Sequence, residues 1–438
     1  MIRDQDMIVK STPIRLGLFL ILATGLFLLA SGEVFSKDDL EREHLDPGTI
    51  AEEINQIRGE LSKIRQQFEN QLNAVEHKLN DLDSRLNKFT TGTQSSQRTG
   101  QMSEPGAANQ RAPDNRPTVC REGCQFSDLN KAIEATKSGG TITVAPGIQG
   151  TCGVIRKPIR LIGLKDPSGK RAHLAGSVCW GKASLVIVAS DVFIEGFEIS
   201  NVTVNDRNGA CVRIDPGAGD VVIRDLYCHD SENGVLGGPL KGIITIENSI
   251  FERNGANRGH AHGIYISQGD VFILRNSQIL STKGQGHSLK SGAKRTIIEN
   301  SVIAALDGAN SRAVDAFGGG EVVIRRSVIQ QGKNSDNNDA LGIALEPRRI
   351  NPAPHSTTLE DNWLIFDDRS RCCRLLFQAK QFGPFTVRGN RIVAMTDIAD
   401  SPLELEEAEN QFYSDRKSAK LPEYDGTLSS LPKPGLFH

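Results

Sequence analysis

The sequence predicts an all-β fold over the main body of this 438-residue chain: a right-handed parallel β-helix (solenoid) with a short N-terminal capping helix. Two observations predict it: a strand pattern that recurs about every 25 residues, and a second strand type that alternates with the first. The composition agrees, because 43 glycines and only 5% aromatic residues suit many tight turns around a core of small aliphatic side chains.

The first strand type is an aliphatic run, a turn residue and a second aliphatic run. It occurs in seven segments: VVIRDLYC (221–228), ITIENSIF (244–251), FILRNSQI (272–279), TIIENSVI (296–303), VVIRRSVI (322–329), TLEDNWLI (358–365) and FTVRGNRI (385–392). Asparagine tolerates a left-handed backbone and bonds to its own neighbours, so it suits a sharp bend. We therefore predict the bends at Asp225, Asn248, Asn276, Asn300, Arg326, Asn362 and Asn390.

The second strand type lies between copies of the first. Its segments are CVRID (211–215), GVLGG (234–238), GIYIS (263–267), SLKSG (288–292), AVDAF (313–317) and GIALE (342–346). Two or three strands in each coil, with aliphatic residues inward, are typical of a β-helix. The 3.6-residue period of an α-solenoid is absent from these segments, and a β-propeller with blades of about 40 residues is the alternative fold.

Several of these segments resemble a known superfamily. TITVAPG (141–147) after a short helix, the N-S-x-I strands and the coil length resemble right-handed parallel β-helix proteins of the pectate-lyase-like superfamily, over about residues 119–395. HGIYIS, GQGHSLKSGA and the strand ending in Glu346 are similar to an exported bacterial subgroup of it. The resemblance implies activity on polysaccharides as lyase, hydrolase or epimerase, or a binding or scaffolding role, and the fold does not choose among them.

The sequence predicts five segments: a signal peptide or signal anchor (1–35), a coiled coil (45–90), a flexible linker (91–118), the β-helix (119–399) and a C-terminal tail (400–438). The apolar run Leu16–Gly32 follows Lys10 and Arg15, as in a cleaved signal peptide or an uncleaved membrane anchor. We therefore expect a protein that is membrane-anchored and faces the periplasm, or one that is secreted or periplasmic.

The predicted coiled coil rests on heptad spacing. Apolar residues recur every seven positions from Ile54 to Phe89, with charged residues on the other faces. This pattern predicts a homo-oligomer, and a solvated single helix is the alternative. The linker is rich in Gln, Ser, Gly, Pro and Asn, which cannot form a core.

The net charge and the cysteine content indicate which partners and which cellular compartment suit the protein. The formal net charge of −2 gives no support for nucleic-acid binding. Eight cysteines in an exported chain favour disulfides, and Cys120 and Cys124 are placed to fasten the start of the folded body. After them, FSDLNKAIEA predicts a short amphipathic helix capped by Ser127 or Asp128, which closes the open end of the solenoid.

A group of ionisable residues follows the second strand type. The second-type strands can be aligned so that one inward aliphatic residue of each forms a single column, and the next residue of each strand then faces outward. The inward residues of this column are Val212, Val235, Ile264, Leu289, Val314 and Ile343. Three successive coils then present Tyr265, Lys290 and Asp315 outward, and His262, His287 and Arg312 where the same strands begin. Neighbours in such a column stand about 4.8 Å apart.

These six residues are the predicted catalytic group, because they suit chemistry on uronic acids. Removing H5 beside a carboxylate needs a base, an acid for O4 and a cation for the carboxylate. We expect Lys290 or His287 as base, Tyr265 or His262 as acid, and Arg312 as a bidentate clamp. Asp315 is expected to orient or charge-balance Arg312 or Lys290. Arg312 and Asp315 forming a structural ion pair is the alternative reading of that couple. The predicted substrate-binding residues are Glu346, Arg213 and His260.

The residue pattern is compatible with three functions. The favoured one is a lyase or C5-epimerase acting on uronate-containing polysaccharide by proton abstraction and β-elimination. The second is an inverting glycoside hydrolase using Asp315 and Glu346, which we expect about 8 Å apart. The third is a non-catalytic glycan-binding or envelope scaffold. No cofactor is predicted: a metal held by His262, His287 and Asp315 is not required by their spacing, and calcium, which the resemblance allows, needs more carboxylates.

Overall fold

The computed structural model describes residues 118–256, 259–367, 375–379, 383–394, 397–399 and 405–435, together with Gly59. The predicted signal segment, coiled coil and linker lie outside the described residues, apart from Gly59 and Thr118, as do Cys372 and Cys373. A search of the described ranges for a helix long and apolar enough to cross a membrane found none.

The body is a parallel β-helix, as the sequence predicted. Each coil runs through three faces, and every named strand pairs in parallel with the strands of neighbouring coils. The first face is built from Thr141–Val144, Ile159–Gly163, Val192–Glu195, Gly219–Arg224, Lys241–Glu247, the second halves of Ile264–Arg275 and Leu289–Glu299, Glu321–Arg325, Ser356–Glu360, Phe385–Arg388 and Leu405–Ala408.

The second face carries the alternating strand type of the sequence. Its strands are Gly153–Ile155, Ala183–Ile187, Ala210–Ile214, Asn233–Pro239, the first halves of Ile264–Arg275 and Leu289–Glu299, Val314–Ala316, Asp339–Ile343, Leu375–Ala379 and Asp397–Ala399. The third face consists of Gly147–Gln149, Ala172–Ala175, Phe197–Ser200, Tyr227–His229, Ile250–Glu252, Gln278–Leu280, Val302–Ala304, Val328–Gln331, Trp363–Phe366, Arg391–Val393 and Gln411–Tyr413.

The core is a column of aliphatic side chains between the three faces. Alternate residues of each strand point inward, as Val221 and Ile223 do on the first face, and they are fully buried. Because each coil stacks its aliphatic residues on those of the next coil, the strand repeat alone is enough to build a continuous interior.

The bends between the first and third faces confirm the predicted left-handed turns at Asp225, Asn248, Asn276, Asn300 and Arg326, where φ lies between 48° and 50°. The prediction is wrong at the last two bends. There the positive φ belongs to Asp361 and Gly389, and Asn362 and Asn390 follow one residue later. The Asn of these two coils therefore occupies the position that serine occupies in earlier coils.

That next position forms a ladder of polar side chains, all of them buried except the half-buried Asn410 at its end. Each side chain accepts a hydrogen bond from the backbone N–H at the matching position of the preceding coil, at 2.9–3.2 Å. The members are Ser249, Ser277, Ser301, Ser327, Asn362, Asn390 and Asn410. Because a buried N–H without a partner is costly, this ladder stabilises every bend it passes.

The N-terminal end is closed as predicted. Helix Leu129–Ala135 starts at Asp128, whose side chain accepts from the Lys131 N–H at 2.9 Å, and its apolar side packs on strand Gly153–Ile155. Disulfide Cys120–Cys124 lies just before it.

Two further disulfides, Cys152–Cys179 and Cys211–Cys228, join neighbouring parts of the solenoid. Disulfides persist in oxidising compartments, so these three bonds fit an extracellular or periplasmic protein.

The solenoid continues past its predicted end at residue 399. Strands Leu405–Ala408 and Gln411–Tyr413 pair in register with Phe385–Arg388 and Arg391–Val393, so the predicted tail contains a further part of the solenoid. The sequence missed it because this coil is short and acidic. The chain then packs along the outside of the third face, where Leu431 joins an outer apolar cluster and the Tyr424 hydroxyl donates to the carbonyl of Leu306.

The described residues also include two short 3₁₀ helices. The 3₁₀ helix Pro347–Arg349 follows the second-face strand Asp339–Ile343, and another, Leu428–Ser430, lies in the C-terminal segment. The first of these helices, Pro347–Arg349, belongs to the candidate site described below.

Candidate active site

Tyr265, Lys290 and Asp315 are direct neighbours on three successive coils of the second face. Tyr265 pairs in register with Lys290, and Lys290 with Asp315. Their flanking residues point into the core, so these three side chains lie on the outside of the face, as predicted. We call this line of residues the outer row.

The outer row is partly covered rather than open to solvent. The Lys290 side chain is 15% exposed, and Asp315 as a residue is 3% exposed. Phe317 lies on the same outer side, in space that Gly292 leaves free: a Cβ at that glycine would stand 2.4 Å from the Phe317 ring. The Lys290 ammonium is 5.1 Å from the centre of that ring. Burial strengthens every charge interaction in the group.

A second line of residues runs beside the outer row, where the second-face strands begin. We call it the entry row: Asn233, His262, His287, Arg312 and Asp339. Asn233 Oδ1 accepts from the His262 N–H at 2.8 Å, His262 Nδ1 from the His287 N–H at 3.0 Å, and His287 Nδ1 from the Arg312 N–H at 3.2 Å. The two imidazole rings stack with centroids 5.5 Å apart.

This ladder fixes the tautomer of both histidines. Because each Nδ1 accepts a backbone hydrogen bond, each neutral ring carries its hydrogen on Nε2. Burial lowers the pKa of His262 to about 3, and Lys290 and His260 add to the effect. Burial likewise lowers the pKa of His287 to about 2, with His262, Lys290 and Arg312 acting in the same direction. Both rings are therefore neutral at neutral pH.

Asp315 faces one of these rings and the lysine. His287 Nε2 lies 3.1 Å from Asp315 Oδ2, and Lys290 Nζ lies 3.7 Å from the same oxygen. Burial raises the pKa of Asp315 to about 6, although Lys290 and Arg312 oppose the rise. Oδ1 is buried and has no hydrogen-bond partner among the described residues. Since His287 is neutral, its contact with Asp315 is not an ion pair.

Glu346 binds the lysine more closely. Its Oε1 is 2.6 Å from Lys290 Nζ, and its Oε2 is 3.0 Å from Arg349 Nη1. Partial burial is the largest single influence and works to raise the pKa of Glu346, but the charges and hydrogen bonds of Lys290 and Arg349 together outweigh it, so the pKa lies below its usual value. The predicted substrate residue Glu346 is thus joined to the catalytic group through Lys290.

Of the two partners predicted for Asp315, the structure pairs it with Lys290, and the alternative pairing with Arg312 is wrong. The guanidinium of Arg312 instead forms an ion pair with Asp339, which is buried on the next coil. The cause is a register error: Val314 pairs with Leu341, whereas the sequence alignment had placed Ile343 in that column. With the correct register, Asp339 falls on the entry row directly after Arg312.

Arg349 is a site residue that the sequence did not reveal. Its Nη2 donates to the Tyr265 hydroxyl oxygen at 2.9 Å and to the Ser267 carbonyl at 3.2 Å, and its guanidinium lies 4.1 Å from the centre of the Phe317 ring. It reaches Tyr265 from the 3₁₀ turn that follows the strands. No strand pattern covers that turn, so only the three-dimensional path of the chain identifies this contact.

The two other predicted substrate residues lie at the edge of the group. Arg213 is on the outer row, separated from Tyr265 by Leu236, and its Nε donates to Asp215 at 2.7 Å. His260 is exposed, two residues before His262. The structure therefore brings Glu346 into the group and leaves Arg213 and His260 outside its direct contacts.

The predicted inverting hydrolase is not favoured by this geometry. Lys290 Nζ lies 3.7 Å from Asp315 Oδ2 and 2.6 Å from Glu346 Oε1, so both carboxylates contact the same ammonium. An inverting enzyme keeps its two carboxyl groups apart to leave room for a water. An ammonium group also lies where the attacking water of such an enzyme would have to fit.

A metal ion held by His262, His287 and Asp315 is also disfavoured. Both Nδ1 atoms already accept backbone hydrogen bonds, and metal donors must offer a free lone pair. Calcium stays an untested expectation. Lys290 lies between the nearest carboxylates of this face, Asp315 and Glu346, and it takes the place that a cation would occupy.

Comparisons with known proteins give only distant likenesses. No protein-family model matches the chain, and no curated protein matches it. Among solved structures, an alginate lyase from a Paenibacillus strain is 18% identical, with a TM-score of 0.44, over 65% of this chain and 96% of that one.

Two other structural neighbours are more distant. A pectate lyase is 14% identical, with a TM-score of 0.40, over 62% of this chain and 72% of that one. The A-module of a mannuronan C-5 epimerase from Azotobacter vinelandii is 12% identical, with a TM-score of 0.32, over 65% of this chain and 94% of that one. At this distance the likenesses do not bear on activity, which has to be argued from the side chains.

Proposed function

We propose that this chain acts on uronate-containing polysaccharide by removing the C5 proton, and that β-elimination follows. The observation that carries the proposal is the adjacency of Tyr265 and Lys290 on the outer row, with the Arg349 guanidinium bound to the Tyr265 oxygen. In the proposal, one of these neighbours transfers the proton and the other supplies the cation that the reaction needs.

Tyr265 is the proton-transfer group in this proposal, in place of Lys290 or His287. Neither His262 nor His287 has a free lone pair, because Nδ1 accepts a backbone N–H and Nε2 carries the hydrogen. Lys290 Nζ is already bound by Glu346 Oε1 at 2.6 Å. The Tyr265 oxygen accepts a hydrogen bond from the Arg349 guanidinium at 2.9 Å, and in this proposal that oxygen takes H5 as a phenolate.

Lys290 is the cation that neutralises the uronate carboxylate. When H5 leaves as a proton, its bonding electrons move toward the carboxylate, and the ammonium stabilises the charge that develops there. Glu346 and Asp315 contact Nζ and hold it in place. Arg312 is committed to Asp339, so the proposal gives it the role of holding the entry row rather than that of clamp.

The proton balance favours elimination over epimerisation. The electron pair at C5 forms the C4–C5 double bond as the C4–O4 bond breaks, and O4 needs a proton. The Tyr265 hydroxyl, which has just received H5, can return it to O4 on the same side of the sugar ring. Inversion at C5 needs a proton from the opposite side, and Tyr265 lies on only one side of the ring.

The decisive assay follows the ultraviolet absorbance of the unsaturated uronate product. Purified full-length chain is incubated with a panel of uronate polymers and a neutral polymer, beside Tyr265→Phe and Lys290→Ala. We expect product from at least one uronate polymer, and a loss of about 10²-fold or more in the Tyr265→Phe variant, because that is the usual contribution of a proton-transfer group.

Matched controls come from the same fold. Lys294→Ala removes a lysine of the same strand that pairs with Asp270 at its exposed surface, and Tyr413→Phe removes a hydroxyl bound to Gln411. Both controls should keep the activity. If no uronate gives absorbance while the chain and both site variants bind one tightly, the surface is a glycan-binding site and the lyase proposal is wrong.

A further inference from the structure

A second group of donor side chains lies on the outside of the third face, among earlier coils. His173, Glu198 and His229 come from three successive strands, Ala172–Ala175, Phe197–Ser200 and Tyr227–His229. His173 pairs in register with Glu198, and His229 pairs with Ser200 two residues further along. The residues that alternate with them, such as Leu174 and Cys228, are buried in the core.

The spacing of the donor atoms matches a metal site. Glu198 Oε1 is 3.3 Å from His229 Nε2 and 3.6 Å from His173 Nδ1. One donor atom from each residue lies within 4.8 Å of the others. Ligands on a tetrahedral zinc ion with bonds of about 2.0–2.1 Å stand roughly 3.3 Å apart, so a small closure of these side chains suffices.

The remaining ring nitrogens are held by other groups, as in established metal sites. His173 Nε2 lies 2.7 Å from Ser200 Oγ, and His229 Nδ1 lies 2.8 Å from Asp230 Oδ2. Asp230 is held in turn by Arg253, whose Nε and Nη2 donate at 3.0 and 2.9 Å. A histidine whose second nitrogen is bonded to a hydroxyl or carboxylate has a fixed ring and a more basic ligating nitrogen.

We propose that His173, Glu198 and His229 bind one first-row divalent transition-metal ion of the zinc class. Two imidazoles and one carboxylate suit zinc or cobalt, whereas calcium takes six to eight oxygen ligands. The ion ties three coils together and keeps at least one coordination position for water or a substrate oxygen. The proposal is independent of the uronate chemistry on the second face.

The test is a titration of the metal-free, untagged full-length chain with ZnCl₂ by calorimetry and with CoCl₂ by visible absorbance. We expect one ion per chain at micromolar affinity or tighter, and a cobalt spectrum of nitrogen and oxygen ligation. His229→Asn and Glu198→Gln should each abolish it. Asp230→Asn keeps all three ligands and should weaken binding by about 10–100-fold. CaCl₂ should give no binding.

The controls separate this site from other histidines. His260→Asn, at the exposed surface, should bind zinc as the parent does. The proposal is overturned if the parent chain binds no zinc, if binding survives in His229→Asn and Glu198→Gln, or if His260→Asn removes it. Asp230→Asn changes no ligand, so it remains informative if a ligand variant fails to fold. Zinc affinity equal to that of the parent in Asp230→Asn would contradict the role given to Asp230.

Discussion

Replacing His262 by asparagine should make the fold less sensitive to acid. His262 Nδ1 accepts the backbone N–H of His287, and Asn233 does the same for His262 one coil earlier through its Oδ1. Asparagine is therefore already used at this row and can accept the same hydrogen bond. It cannot be protonated, whereas the imidazole has to be neutral to accept.

The magnitude follows from the pKa. Burial lowers the pKa of His262 from 6.5 to about 3, so between these values the unfolded chain binds a proton that the folded chain does not. Stability from this group is complete above pH 6.5 and is lost as the pH falls toward 3. The slope is about 1.4 kcal/mol per pH unit, so acidification from about pH 6 to about pH 4 removes on the order of 2–3 kcal/mol.

Urea unfolding at three pH values across this interval measures the effect. The difference in unfolding free energy between His262→Asn and the parent should move in favour of the variant as the pH falls, by about 1.4 kcal/mol per unit. The exposed His260→Asn serves as control and should run parallel to the parent. Parallel curves for His262→Asn as well would refute the neutral, hydrogen-bonded state of this ring.

Three further substitutions test the packing and the buried polar contacts. Gly292→Ala should destabilise by about 1–3 kcal/mol or more and change the Phe317 environment in near-ultraviolet circular dichroism, because the new Cβ would stand 2.4 Å from that ring. Asn362→Leu should lower the free energy of unfolding by about 1–3 kcal/mol for each buried backbone group that it leaves without a partner. An unchanged urea midpoint would contradict the stabilising role of the polar ladder. Arg312→Met should cost about 3–5 kcal/mol at neutral pH, because it leaves the buried carboxylate of Asp339 unpaired, and a smaller loss at acidic pH would show that this carboxylate takes up a proton.

The fold was predictable because the β-helix repeats one local pattern. Inward aliphatic residues two apart recur along the solenoid, and a left-handed residue marks the bend of successive coils from Asp225 to Gly389, so an error in one coil does not change the others. The C-terminal strands Leu405–Ala408 and Gln411–Tyr413 were missed because their sequence is polar, and their pairing is provided by the preceding coil rather than by their own pattern.

The candidate site was predictable only where the coil length is constant. From His262 to Arg312 the spacing is regular, and Tyr265, Lys290 and Asp315 were assigned to the correct row. In the next coil the strand contains several aliphatic residues, and choosing the wrong one displaced Asp339 from its place beside Arg312. Arg349 comes from a turn outside any repeat, so its contact with Tyr265 depends on the path of the chain in space.

The two clusters also show why histidine content alone is a weak guide to chemistry. The histidines of the entry row use Nδ1 to hold the backbone of the next coil, which makes them structural acceptors. On the third face, His173 and His229 direct one nitrogen to a shared carboxylate and bond the other to Ser200 or Asp230. The two pairs of histidines differ in which ring nitrogen faces a neighbouring carboxylate and which one binds the supporting group. The position of the backbone around each histidine decides this.

Loss of the H5 proton signal from a uronate polymer, followed by NMR in D₂O, tests the proposed chemistry most directly. Elimination removes H5 and epimerisation exchanges it, so either outcome reports abstraction at C5. The parent chain should erase the signal of at least one uronate polymer, and Tyr265→Phe should preserve it under the same conditions. If H5 persists on every uronate that the chain binds, or disappears equally fast with Tyr265→Phe, then the phenol of the outer row does not perform this reaction.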